Sequence, residues 1–331
     1  MRITKQAALA GIGIFLIGAT LGWTASSLLQ HDGRENDIAI REYDERYPYI
    51  RPLLICQINE GNETRAYGEL EAEIENVIET GKSEGRITAG SVYFRDLTSG
   101  KWTGVNELEP YAPASLLKVP IMISYFKEAE HTPGVLATRY PYATTREVVE
   151  NSLVDTPLLR SGNSYTVNDL IRGMIIQSDN QAKNVLEEHA DPVILKETYN
   201  VLGIQNPYDD DTEPYAISTK TYGLFFRVLY NGTYLSREMS NRAAELLTAV
   251  EFDRGLRAGT PSNIQIAHKY GIHSQSQDGA LHIELSDCGI VYYPGAPYLL
   301  CVMMEGRDPD ALAGLIKRVA EVTYRSVATN E

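Results

Sequence analysis

The pairing best suited to chemistry is Ser115-Leu116-Leu117-Lys118, which sets a hydroxyl and an amine three residues apart. On a helix, positions i and i+3 share a face, so the amine can reach the hydroxyl. A lysine that has lost its proton there turns the serine into a nucleophile. The spacing alone is a weak signal, because Ser124-Tyr125-Phe126-Lys127 repeats it further along. Context separates the two copies. Ser115 follows Tyr-Ala-Pro-Ala and stands where an apolar helix over about residues 113–125 begins, beside free N–H groups and a positive dipole end that can stabilise an oxyanion. Ser124 falls inside the same helix. Two further groups are bland alone. Ser178-Asp179-Asn180 carries three side chains that bond nearby backbone and so suit a helix terminus or turn. Lys269-Tyr270-Gly271 closes the strand-like NIQIAH, where a Lys-x-Gly is commonly a turn.

These residues need elements to hold them. Leu70, Ile74, Val77 and Ile78 form a 3.6-period stripe and predict an amphipathic helix, followed by a hairpin in SVYFRDLTSGKWTGV around a Thr-Ser-Gly turn. Helical patterns fill the middle of the chain: TVNDLIRGMIIQS with Thr166 as N-cap, then AKNVLEEHA and STKTYGLFFRVLYN. Strand patterns return in NIQIAHKYG, ALHIELSDCGIVYY and PYLLCVMMEG, before a closing helix in ALAGLIKRVAEVTYRSV. The expected fold is therefore α+β: an antiparallel sheet built from both chain ends, with flanking helices and a helical lobe, about residues 113–250, inserted between the sheet halves.

Taken together and in order, SxxK, Ser-Asp-Asn and Lys-x-Gly resemble the three motifs of the penicillin-recognising serine enzymes, in their class A β-lactamase-like branch. The resemblance covers most of residues 68–325. It implies Ser115 as acylating nucleophile, Lys118 as its proton partner and Ser178 as the proton shuttle to the leaving nitrogen. Asn180 would hold the substrate amide, Lys269 would attract its carboxylate, and the N–H groups of Ser115 and Ile272, next to Gly271, would form the oxyanion hole. Asp179 would be structural. Two positions depart from the pattern. Tyr270 stands where the family has a small hydroxyl residue that helps bind the substrate carboxylate. No E-x-x-x-N occurs between Ser178 and Lys269, although the family's glutamate there positions the water that frees the enzyme. Glu213 is the nearest carboxylate, in an acidic stretch, residues 209–213, that reads as a solvated turn.

Composition bounds the rest. The 331 residues are 43% hydrophobic and 22% charged, enough for a sizeable core. Lys and Arg number 30 against 44 Asp and Glu, a net charge of −14 with no basic patch, which argues against nucleic-acid partners. Residues 7–29 carry no charge and, at ~1.5 Å per residue, reach ~35 Å as a helix, enough to cross a bilayer core. Arg2 and Lys5 precede them, so the positive-inside bias puts the body on the outer face; a cleaved signal peptide would export it equally. The expected organisation is an N-terminal transmembrane signal-anchor over 1–30, a connector over 31–67 and the hydrolase body over 68–331. Cys56, Cys288 and Cys301 lack metal or disulfide spacing, and the latter two read as buried hydrophobes. His268 and His273 read as strand and rim positions. Without HExxH, G-x-S-x-G or a phosphate-binding Gly loop, neither a metal nor a cofactor is expected.

The sequence thus predicts an exported, membrane-anchored serine hydrolase that attacks a β-lactam or related amide through Ser115. The alternatives are a penicillin-binding peptidase acting on cell-wall D-alanyl peptides, and an inactive tethered binding protein.

Overall fold

The computed structural model describes residues 39–56, 66–143, 157–209, 214–277 and 280–329. The expected anchor, residues 7–29, lies outside them, as does Glu213. Among the described residues no helix is long and apolar enough to cross a membrane.

Strands β1 (Ala39–Arg41) and β2 (Leu53–Cys56) pair antiparallel. The stretch between them lies on the body: Ile50 is fully buried, and Arg51 N–H donates to the Tyr230 carbonyl. Helix α1 (Gly68–Ser83) buries Leu70, Ile74, Val77 and Ile78, the predicted stripe. Strands β3 (Ala89–Asp96) and β4 (Trp102–Val105) form the predicted hairpin. After the short β5 (Pro110–Tyr111) come a 3₁₀ turn (Ala114–Leu117) and α2 (Lys118–Ala129). The two-stranded ribbon of β6 (Arg139–Tyr142) and β7 (Asn163–Thr166) leads into α3 (Val167–Ile176), whose Thr166 N-cap and Asp169 form a capping box. Then follow α4 (Asn180–His189), α5 (Pro192–Asn200), β8 (Ile217–Ser218), α6 (Thr219–Asn231), α7 (Arg237–Thr248) and the short α8 (Gly255–Ala258). Strands β9 (Ile266–Gln277), β10 (Ala280–Val291) and β11 (Tyr298–Gly306) precede the closing helix α9 (Pro309–Thr329).

The main sheet has the order β4-β3-β11-β10-β9, antiparallel throughout, so strands from both chain ends meet at the β3/β11 seam as the sequence predicts. Two apolar layers result. One joins Val119, Met122 and Phe126 of α2 to Leu170 and Met174 of α3 and to Ala267, Cys288 and Cys301 of the sheet. The other joins Leu70 and Ile74 of α1 to Leu285, Leu300 and Ile316. Cys288 and Cys301 are free, buried and opposite each other in register, as expected of small hydrophobes.

Two expectations need correcting. The helix foreseen over 113–125 opens as a 3₁₀ turn and becomes α-helical only at Lys118. Pro120 has no N–H to offer the Leu116 carbonyl, and that carbonyl accepts the Tyr222 hydroxyl at 2.9 Å. Lys269-Tyr270-Gly271 does not end a strand; it lies inside β9, opposite Cys288, Asp287 and Ser286 of β10.

Candidate active site

The 3₁₀ turn decides how Ser115 meets Lys118. Side chains at i and i+3 eclipse in 3₁₀ geometry, and Lys118 Nζ lies 2.8 Å from Ser115 Oγ. The turn is entered through Ala114 at φ 46°, a left-handed conformation that costs a non-glycine residue on the order of 1–3 kcal/mol.

Ser178 is also left-handed, at φ 56°. Asp179 holds this bend. It is the N-cap of α4, its Oδ1 accepting from Ala182 N–H at 2.8 Å and its Oδ2 from the Tyr142 hydroxyl at 2.7 Å. The bend brings Ser178 and Asn180 onto Lys118, which is 2% exposed. Lys118 Nζ donates to the Ser178 carbonyl at 2.6 Å and to Asn180 Oδ1 at 2.6 Å, and lies 3.1 Å from Ser178 Oγ. Burial pulls the Lys118 amine down to about 7, with Asp179 acting against the shift and Lys183 with it. A neutral amine has two N–H bonds and one lone pair. The Ser178 carbonyl and Asn180 Oδ1 can only accept, so they take the two N–H bonds and the lone pair is left for a hydroxyl proton.

Lys269 enters from β9 and is fully buried. Its Nζ donates to Ser178 Oγ at 2.9 Å and to the Tyr270 carbonyl at 3.2 Å, and stands 4.2 Å from the Tyr270 ring centroid. Burial holds this amine well below its ordinary value, and the charge of Lys118 pushes it the same way. Gly271 explains how closely β9 approaches the nucleophile. A Cβ there would stand 2.7 Å from the Pro113 carbonyl oxygen and 3.1 Å from Ser115 N. Ile272, next along, is 40% exposed and borders solvent.

The structure therefore brings Ser115, Lys118, Ser178, Asn180, Lys269, Tyr270 and Gly271 together, from segments far apart in the chain. His268 stands apart, buried with its Nδ1 2.8 Å from Asp287 Oδ1, and His273 pairs across the hairpin with Glu284. Asp209, the described end of the acidic stretch, accepts from Lys196 Nζ at 2.8 Å in an exposed ion pair. Among the described residues no cluster of His, Cys, Asp and Glu could hold a metal ion.

Three supporting residues escape a reading of the sequence alone. Tyr142 steadies Asp179 from the β6/β7 ribbon. Phe252 stacks on Tyr270 at 4.0 Å between ring centroids and 12° between planes. Glu284 Oε2 accepts from Ala112 N–H at 2.7 Å, three residues before the nucleophile. Only Glu284 leaves a trace, as a charge in the alternating HIELS run.

A buried lysine on an eclipsed serine, a serine-aspartate-asparagine bend and a lysine-bearing edge strand define a class of acyl-transferring serine hydrolases, and the family comparison agrees. The model of the β-lactamase enzyme family matches residues 69–327, and the chain belongs to that family, in its class A β-lactamase-like branch. Among solved structures, PBP-A is 21% identical, covering 79% of this chain and 96% of its own at a TM-score of 0.64. A PBP-A mutant in an acyl-enzyme complex with penicillin G is 22% identical, covering 78% of this chain and 97% of its own at a TM-score of 0.63. A class A β-lactamase from Mycobacterium abscessus is 19% identical, covering 78% and 99% at a TM-score of 0.65. At this identity the likeness is one of fold. No curated protein matches the sequence.

Proposed function

We propose that the chain is an exported serine hydrolase, anchored through residues 7–29, that opens a β-lactam or related amide C–N bond through a Ser115 acyl-enzyme. The observation that carries this reading is Lys118, buried, 2.8 Å from Ser115 Oγ and with its N–H bonds taken by pure acceptors. The lone pair takes the Ser115 proton as Oγ bonds to the carbonyl carbon. The resulting oxyanion is held by the N–H groups of Ser115 and Ile272. Ser178 Oγ, between the two amines, gives its proton to the leaving nitrogen and is reprotonated from Lys118. The C–N bond breaks and the ester remains.

A second reading, a penicillin-binding peptidase of the cell wall with slow β-lactam turnover, is favoured by the missing E-x-x-x-N. An ester against an oxyanion hole is hydrolysed quickly only when a base activates water, help worth ~10²–10⁴ in rate. Mixing the soluble body with a chromogenic cephalosporin, with mass detection of the adduct, tests both. The expected result is a stoichiometric burst followed by a slow phase. Sustained fast turnover without a burst selects the β-lactamase, and no adduct on Ser115 sinks acyl-enzyme chemistry on β-lactams. Membrane fractionation with N-terminal sequencing tests the anchor. A mature chain starting near Ser26 and free of membrane overturns it.

A further inference from the structure

The side of the site where the family resemblance places a substrate carboxylate is built differently here. The expected anchor, Lys269, has no open donor. As a neutral amine it has two N–H bonds, one given to Ser178 Oγ and one to the Tyr270 carbonyl, and the Tyr270 ring covers the nitrogen at 4.2 Å. The amine is fully buried. The Tyr270 ring cannot swing aside without breaking its stack on Phe252, at 4.0 Å and 12°. The loop that carries Phe252 is itself fixed beside Ser178. Glu251 N–H donates to the Ile176 carbonyl at 2.9 Å, and its Oε2 accepts from Gln177 Nε2 at 3.0 Å.

Burial keeps the Tyr270 hydroxyl protonated, with its bond to the Ser178 side chain acting the other way and Asp287 and Glu251 adding to the burial. Asp287, fully buried and opposite Tyr270 in register, is already engaged by His268 and by Leu256 N–H, and Glu251 is engaged by Gln177, so neither is a partner for a substrate group. A carboxylate placed here would meet the Tyr270 ring and would lose its hydration without a free lysine N–H in return.

Resting on the acyl-enzyme reading above, we infer that Ser115 acts on an amide or lactam that carries no free carboxylate on the Lys269 side of the bond attacked, and that the Tyr270–Phe252 stack sets this preference. Lys269 then serves as a donor to Ser178 rather than as a substrate anchor. Terminal D-alanyl peptides and ordinary penicillins, which carry that carboxylate, acylate Ser115 no faster than their capped, esterified or amidated analogues.

The test compares acylation of the full-length chain, held in detergent, by benzylpenicillin and by its methyl ester, with second-order rate constants from intact mass. The expected result is an ester at least as fast as the acid. In Tyr270→Thr, which uncovers Lys269 and restores a short hydroxyl, the rate for the acid divided by that for the ester is expected to rise about tenfold. A free acid that acylates the unaltered protein several-fold faster than the ester overturns the inference and leaves the acyl-enzyme reading standing. No adduct from either compound overturns both.

Discussion

The chain contains the same four-residue spacing twice, and the two copies do different things. Ser115 and Lys118 meet at 2.8 Å. Ser124, in the second turn of α2, turns its hydroxyl back to the Ile121 carbonyl at 2.8 Å, while Lys127 leaves for Glu130 Oε2 at 3.1 Å and the Tyr234 carbonyl at 3.0 Å. The difference is backbone geometry and surroundings. The first copy spans a 3₁₀ turn that eclipses its ends, and it faces a bend and an edge strand that enclose the amine. The second lies within regular α-helix, where the serine satisfies its own hydroxyl locally and the lysine finds an acidic partner. Spacing supplies reach; the neighbours decide whether the amine loses its proton.

The largest effects should therefore separate the copies cleanly. Ser115→Ala is expected to abolish covalent labelling by a β-lactam, whereas Ser124→Ala leaves labelling intact, as peptide mapping of the adduct would show. Lys118→Ala should slow acylation by ~10²–10⁴, the usual worth of general-base help. Lys127→Ala should leave acylation within about twofold while costing ~1–3 kcal/mol of stability, because its part-buried bonds to Glu130 and the Tyr234 carbonyl are lost. Equal losses at Lys118 and Lys127 would show that the two lysines act alike.

The protonation of Lys118 sharpens the same contrast. Burial places this amine at about 7, and only its neutral form can take the Ser115 proton. Below that pH the acylation rate is expected to fall about tenfold per unit, so pH 5 should be about a hundredfold slower than the plateau above pH 8. A rate flat between pH 5 and 8 would show that Lys118 is not the base.

Much of this was legible in the sequence, and the limits have physical reasons. Helix stripes at Leu70 to Ile78, the Thr166 cap and the alternating late strands are local patterns, and each formed as the pattern implies. The three motifs are also local, so their residues could be named. The 3₁₀ start was hidden because it depends on Ala114 adopting positive φ, which alanine composition does not signal. Gly271 was legible as a glycine but not for its purpose. A turn was the obvious reading, yet the glycine is there so that β9 can touch the nucleophile turn. Gly271→Ala would force a Cβ to within 2.7 Å of the Pro113 carbonyl oxygen, a backbone atom that cannot rotate away. The expected cost is ~1–3 kcal/mol in urea unfolding, together with slower acylation as Ser115 is displaced.

The smallest effect tests a contact no local pattern could reveal. Ala112 and Glu284 are 172 residues apart, and their hydrogen bond fixes the chain just before the strained Ala114. Burial raises the Glu284 carboxyl, the Ala112 N–H and His273 favour its charged form, and Glu305 disfavours it. Glu284→Ala leaves a partly buried N–H unpaired, costing ~1 kcal/mol and slowing acylation several-fold as the turn loosens. Glu284→Gln keeps a carbonyl oxygen for Ala112 and removes the repulsion with Glu305, so it should restore both stability and rate to near the native values. If glutamine proves as damaging as alanine, the carboxylate acts through its charge on the site and not by holding the turn, and the acylation rate of the two variants measured side by side decides between these roles.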